Sequence, residues 1–171
     1  MKALMVYSSR TGNTEMVCRA AAQALGQCDI FAVGEAPSPQ GYDLVCVGYW
    51  VDKGQPDAAA KAYIEGIANA RVALLGTLGA WPDSDHAREC QTRAAAMLEG
   101  RGNSLLGSFI CMGKVDPKVV EMMQKMAPQV HVMDDARKAR LAEGAKHPDE
   151  RDLENARAFM GEVCAKAQGK A

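Results

Sequence analysis

The sequence predicts an α/β fold, a doubly wound, five-stranded parallel sheet in the order 2-1-3-4-5. Three observations predict it. Short apolar runs alternate with helical stretches from Ala3 to Met112. The runs are apolar on both faces, as strands are when helices cover a sheet on each side. Right-handed crossovers then leave few topologies for a chain of 171 residues.

Ala3–Ser8 is the first strand, an apolar run ending in small polar residues. Residues 13–25 follow as a helix, with Val17, Ala20, Ala21, Ala24 and Leu25 at helical spacing. Residues 29–33 form a weaker second strand, and Pro37–Gly41 a loop. Residues 43–50 are a third strand, and residues 58–67 a helix. Residues 71–77 make the fourth strand. Residues 84–98 make a helix with Ala87, Cys90, Ala94, Met97 and Leu98 on one side, and residues 105–112 the fifth strand. The tail holds two short helices, at 119–126 and at the highly charged 137–145. A last helix opens on His147-Pro148-Asp149-Glu150, with Pro expected inside an acidic first turn.

Composition excludes several classes. Lys+Arg (20) balance Asp+Glu (21) for a net charge of −1, so there is no basic footprint for nucleic acid. The 48% apolar content supports a proper core. No apolar run approaches the ~20 residues of a membrane span. The N-terminus lacks a signal-peptide layout, which points to the cytoplasm. The six cysteines include no CxxC pair and read as reduced, buried small hydrophobes. His86, His131 and His147 share no ligand spacing, so no metal site is expected. Neither a Ser-His-Asp nor a Cys-His catalytic set is present.

In open parallel sheets ligands sit outside the carboxyl ends of the strands. The segment after the first strand, Ser8-Ser9-Arg10-Thr11-Gly12-Asn13-Thr14, lies there and leads into a helix. Helix-start N–H groups joined by hydroxyls make an anion site, and Gly12 lets the backbone approach the anion. It carries neither the P-loop pattern and lysine nor the G-x-G-x-x-G dinucleotide pattern. Residues 9–14, Ser-Arg-Thr-Gly-Asn-Thr, resemble the S/T-x-T-G-x-T phosphate loop of flavodoxins. The resemblance runs over residues 1–112 and implies FMN, its phosphate wrapped by Ser9, Arg10, Thr11, Gly12, Asn13 and Thr14. Arg10 departs from many electron-carrying flavodoxins. It either faces solvent or pairs with the phosphate. The whole chain, 1–171, is expected to be a single flavodoxin-like domain, with 113–149 an atypical extension between the fifth strand and the last helix.

The resemblance also assigns the other two loops. After the third strand, Gly48, Gly54 and Pro56 fit the flavodoxin frame. Asp52 stands where the ring-stacking aromatic usually does, and Trp50 lies two residues earlier. Trp50, Val51, Asp52, Lys53 and Gly54 are the candidates there, with Trp50 either stacking on the flavin or closing the strand. A carboxylate beside a flavin opposes its reduction and an ammonium favours it, and sequence does not say whether Asp52 or Lys53 faces the ring. After the fourth strand, Thr77, Leu78 and Gly79 would line the pyrimidine edge and Trp81 is the second stacking candidate. Asp83 or Ser84 caps the next helix. His86 falls in its first turns, either at the surface or as a proton donor. Met112, Met122, Met123, Met126 and Met133 either pack a short helix or offer a soft surface.

The expected function is therefore an FMN-binding electron-transfer protein, monomeric or dimeric, that shuttles electrons to a redox partner. The flavin would do the chemistry and the protein would tune it. The alternatives are an NAD(P)H-dependent reductase of a quinone or other small conjugated acceptor, and a cofactor-free binding module. The 113–149 extension would then act as a substrate lid, and the intact phosphate loop argues against the module.

Overall fold

Parallel strands buried on both faces need helices above and below, and the computed structural model, which describes residues 1–126, 129 and 132–169, has that layout. The strands are β1 (Ala3–Tyr7), β2 (Cys28–Ala32), β3 (Leu44–Asp52), β4 (Gln55–Pro56), β5 (Arg71–Leu78) and β6 (Ser104–Met112). The helices are α1 (Asn13–Ala22), α2 (Ala58–Glu65), α3 (Asp85–Ala96), α4 (Pro117–Met126), α5 (Asp135–Gly144) and α6 (Glu150–Ala167). The sheet runs β2-β1-β3-β5-β6, all parallel, with the two-residue β4 antiparallel to the end of β3. Without that short return, the order is the expected 2-1-3-4-5.

Two cores result. Met5, Val17, Cys46, Leu75 and Met160 lie in the first, between the sheet and α1 and α6. Val47, Tyr49, Ile64, Leu74 and Leu98 lie in the second, under α2 and α3. The central strand feeds both: Cys46 and Val47 point to opposite faces and both are wholly buried. Cys18, Cys46, Cys90 and Cys111 are buried and free, and burial pushes the thiols of Cys18, Cys46 and Cys111 up, which keeps them neutral. Cys28 and Cys164 are half-buried.

Two local expectations shift. β3 continues to Asp52 and turns back at once, because Lys53 (φ 50°) and Gly54 (φ 78°) form a two-residue turn with both φ positive. What reads as a loop is thus the tip of a hairpin. The last helix starts after Pro148, not around it. Asp149 is its N-cap and exchanges capping-box hydrogen bonds with Asp152. His131 lies outside the described residues. No described helix is long and apolar enough to cross a membrane.

The chain between β6 and α6 carries α4 and α5 and closes on itself where the Lys114 N–H donates to the His147 carbonyl (3.1 Å). His147 Nδ1 sits 2.5 Å from Asp152 Oδ2, and its Nε2 3.5 Å from Glu143. The hydrogen bond to Asp152 is the main reason the imidazole pKa is raised. A raised folded pKa stabilises the fold fully below the ordinary histidine range and loses that contribution as pH climbs through the raised value. The thermal midpoint of the parent chain should therefore fall relative to that of His147→Gln between about pH 6 and pH 8.5. Parallel melting curves across that window are the check, and curves that keep a constant separation would refute it.

Candidate flavin site

α1 begins on Gly12, which sits at φ 87° and offers no side chain to cap the helix. The contrast with other helices is direct. Asp57 caps α2, Ser84 caps α3, Asp134 caps α5 and Asp149 caps α6. The first N–H groups of α1 are thus left for an anion from outside. Beside them, Ser9 Oγ is buried with no hydrogen-bond partner. A buried, unpartnered hydroxyl costs free energy unless a ligand completes it. Donor chemistry and missing partner both fit a phosphate.

A cavity of about 520 Å3 opens at this end of the sheet. The phosphate loop contributes Arg10, Thr11 and Asn13 to its wall. The β3–β4 hairpin contributes Trp50, Val51, Asp52, Lys53 and Gly54, and the end of β5 contributes Thr77, Leu78 and Gly79. Four expected residues do not reach it. Ser9 and Gly12 belong to the uncapped helix start behind it. Thr14 is buried beneath the loop, where its hydroxyl lies 2.8 Å from that of Thr77. This contact ties the phosphate loop to the β5 loop. Trp81 is 47% exposed, held in the turn before α3 by the Ser84 hydroxyl on its carbonyl (2.6 Å), and Ala80 takes its place in the wall.

Arg10 is half-exposed and has partners that the sequence did not suggest. Its Nε lies 3.1 Å from Asp116 Oδ2, and its guanidinium sits 5.8 Å from the Trp50 ring centroid. The Lys118 N–H, then Arg10, hold the Asp116 carboxyl below the usual carboxylate range. Asn13 Nδ2 donates to the Lys114 carbonyl (2.9 Å). The extension is thereby fastened to the phosphate loop at two points.

The hairpin tip has its own anchor. Arg93 on α3 donates from Nη1 to the Gly54 carbonyl (3.0 Å) and pairs through Nη2 with Glu89 (3.2 Å). His86 lies in the wall from the first turn of α3, with Nε2 3.7 Å from Cys90 Sγ. Asp57 joins the end of β1 to the start of α2: its Oδ1 accepts from the Ser8 hydroxyl and from the Ala59 and Ala60 N–H groups.

The far wall is made by Lys114, Val115, Asp116, α4 (Val119, Val120, Met123) and α5 (Arg137, Arg140, Leu141). The sequence puts residues 114–117 on this sheet edge, where they could shape a substrate mouth, but sequence reasoning missed the α5 arginines. A signal existed: positions 137, 140, 141 and 144 share one helical face, and an arginine pair on it is unusual for an inward side. The methionines divide accordingly. Met112 is buried and Met123 lines the cavity, while Met122 and Met126 are exposed.

This combination is that of a flavin-binding protein of flavodoxin fold. The flavodoxin domain family matches residues 4–161, and the chain belongs to that family. It is 32% identical over 176 residues to the flavodoxin-like domain-containing protein BilS of Clostridioides difficile, with 98% of each chain covered. It is 29% identical over 146 residues to BilS of Clostridium symbiosum, covering 74% of this chain and 75% of that one. Among solved structures it is similar to the flavodoxin of Streptococcus pneumoniae TIGR4. That match has TM-score 0.63 and 16% identity, with 97% of this chain and 99% of that one covered.

Gly54 is the most demanding backbone position here. A Cβ there would lie 2.5 Å from Arg93 Nη1, at a φ that L-residues rarely adopt. Gly54→Ala should cost roughly 1–2 kcal/mol by denaturant titration, through left-handed strain plus displacement of Arg93. A loss under about 0.3 kcal/mol would show that the hairpin relaxes freely.

Proposed function

We propose that the chain is an FMN-binding electron-transfer protein that passes electrons through its flavin to a redox partner. The observation that carries this reading is the α1 start, where an uncapped helix N-terminus meets the orphaned Ser9 hydroxyl. When bound, isoalloxazine supplies the capacity to exchange one or two electrons. The protein's part is to hold and tune it. The α1 N–H groups and Ser9 would bind the phosphate, and Arg10 would offset its charge. Trp50 would give the ring an aromatic wall, while Thr77, Leu78 and Gly79 would border it. Asp52 and Lys53, adjacent at the hairpin tip, oppose each other in their effect on reduction.

One observation favours a second reading, an NAD(P)H-dependent reductase of a quinone or other small conjugated acceptor. α4 and α5 wall the cavity, whereas a carrier works by leaving a flavin edge open to its partner. Direct reduction by NADPH without oxygen separates the two: rapid bleaching supports the reductase, and no change supports the carrier.

The visible spectrum of the purified protein, with its cofactor released and identified, tests the shared premise. About one FMN per chain is expected. A colourless protein that also refuses added FMN would leave the cofactor-free binding module. Ser9→Ala should weaken FMN by roughly tenfold or more, since a hydrogen bond to a charged group is lost, and leave riboflavin nearly unaffected. Equal weakening of both ligands in a fluorescence titration would remove Ser9 from the phosphate site.

A further inference from the structure

α5 is amphipathic in an unusual sense. Its solvent side carries Lys138 and Ala142, while Arg137, Arg140 and Leu141 face the cavity and Gly144 packs against Gly113. Guanidinium groups on an inward face need acceptors. Two of the three carboxylates in the cavity wall are already engaged. Asp116 is taken by Arg10 and Glu89 by Arg93. Among the described residues, neither Arg140 nor Lys114 has an ion pair, and Arg140 Nε is buried without a hydrogen-bond partner. The same cavity wall offers apolar, pliable side chains from the two helices: Val120 and Met123 on α4, and Leu141 next to Arg140 on α5. A guanidinium framed by apolar side chains matches a molecule with an anionic end and an apolar body. The phosphate loop does not need this cation, because it has α1, Ser9 and Arg10 of its own.

We propose that the α5 wall is a second anion subsite, separate from the flavin phosphate site, that takes a small organic carboxylate. Arg140 receives the carboxylate through its planar fork, and Val120, Met123 and Leu141 receive the apolar body. Lys114, at the rim, adds charge that draws the anion in. The inference rests on the second reading above, in which a small acceptor enters the cavity, and it adds the charge that acceptor carries.

The test uses two probes of one shape, 2-naphthoate and the uncharged 2-naphthamide. Each is titrated into the FMN-loaded chain and followed by the visible flavin band and tryptophan fluorescence. Naphthoate should bind about tenfold tighter than the amide or better. Arg140→Gln should erase that preference and leave FMN affinity within about threefold. Arg140→Lys keeps the charge but loses the fork and should keep only part of the preference. Equal binding of the two probes overturns the proposal, as does a preference undiminished in both variants. A loss of FMN affinity in Arg140→Gln, with riboflavin unchanged, would assign the guanidinium to the flavin phosphate instead. If the chain takes up no FMN, the same titration on the unloaded protein by tryptophan fluorescence decides the anion subsite independently of the flavin.

Discussion

Burial of β3 on both faces is the constraint from which the rest of the molecule follows. Leu44 through Val47 and Tyr49 are wholly shielded, which a sheet achieves only when helices lie above and below it. Helices on both faces require crossovers, and crossovers put every strand-to-helix loop at one end of the sheet. The loops after β1, β3 and β5 therefore converge without any interaction designed to bring them together. Their contacts, such as the Thr14–Thr77 hydroxyl pair, fine-tune a meeting that topology has already arranged.

The site divides into parts with different electrostatic duties. The start of α1 concentrates N–H dipoles and a hydroxyl where an anion is expected. Arg10 stands between that start and Trp50, and Asp116 keeps it there. The hairpin tip is anchored, because its Gly54 carbonyl accepts from Arg93 on α3. A ligand meets a largely preformed wall on this side and loses little affinity to ordering it.

Much of this was legible in the residues. The strands announced themselves by double-sided apolarity, and the phosphate loop by hydroxyls and glycine placed between a strand and a helix. The hairpin was less legible, because its turn depends on Lys53 adopting a positive φ that its type does not advertise. Trp81 was legible as an aromatic of the β5 loop, but not its half-exposed setting in the turn where the Ser84 hydroxyl donates to its carbonyl. The α5 arginines were hidden for a further reason. In a highly charged helix, which charges face inward is set by what lies beneath, and the cavity beneath is a product of the whole fold.

The backbone contact between Lys114 and His147 makes α4 and α5 an excursion whose ends meet. A loop whose ends are already joined changes length at low thermodynamic cost, since closure entropy grows only with the logarithm of its size. A change of length in this excursion would reshape the cavity wall that α4 and α5 supply while leaving the strand connections of the sheet as they are.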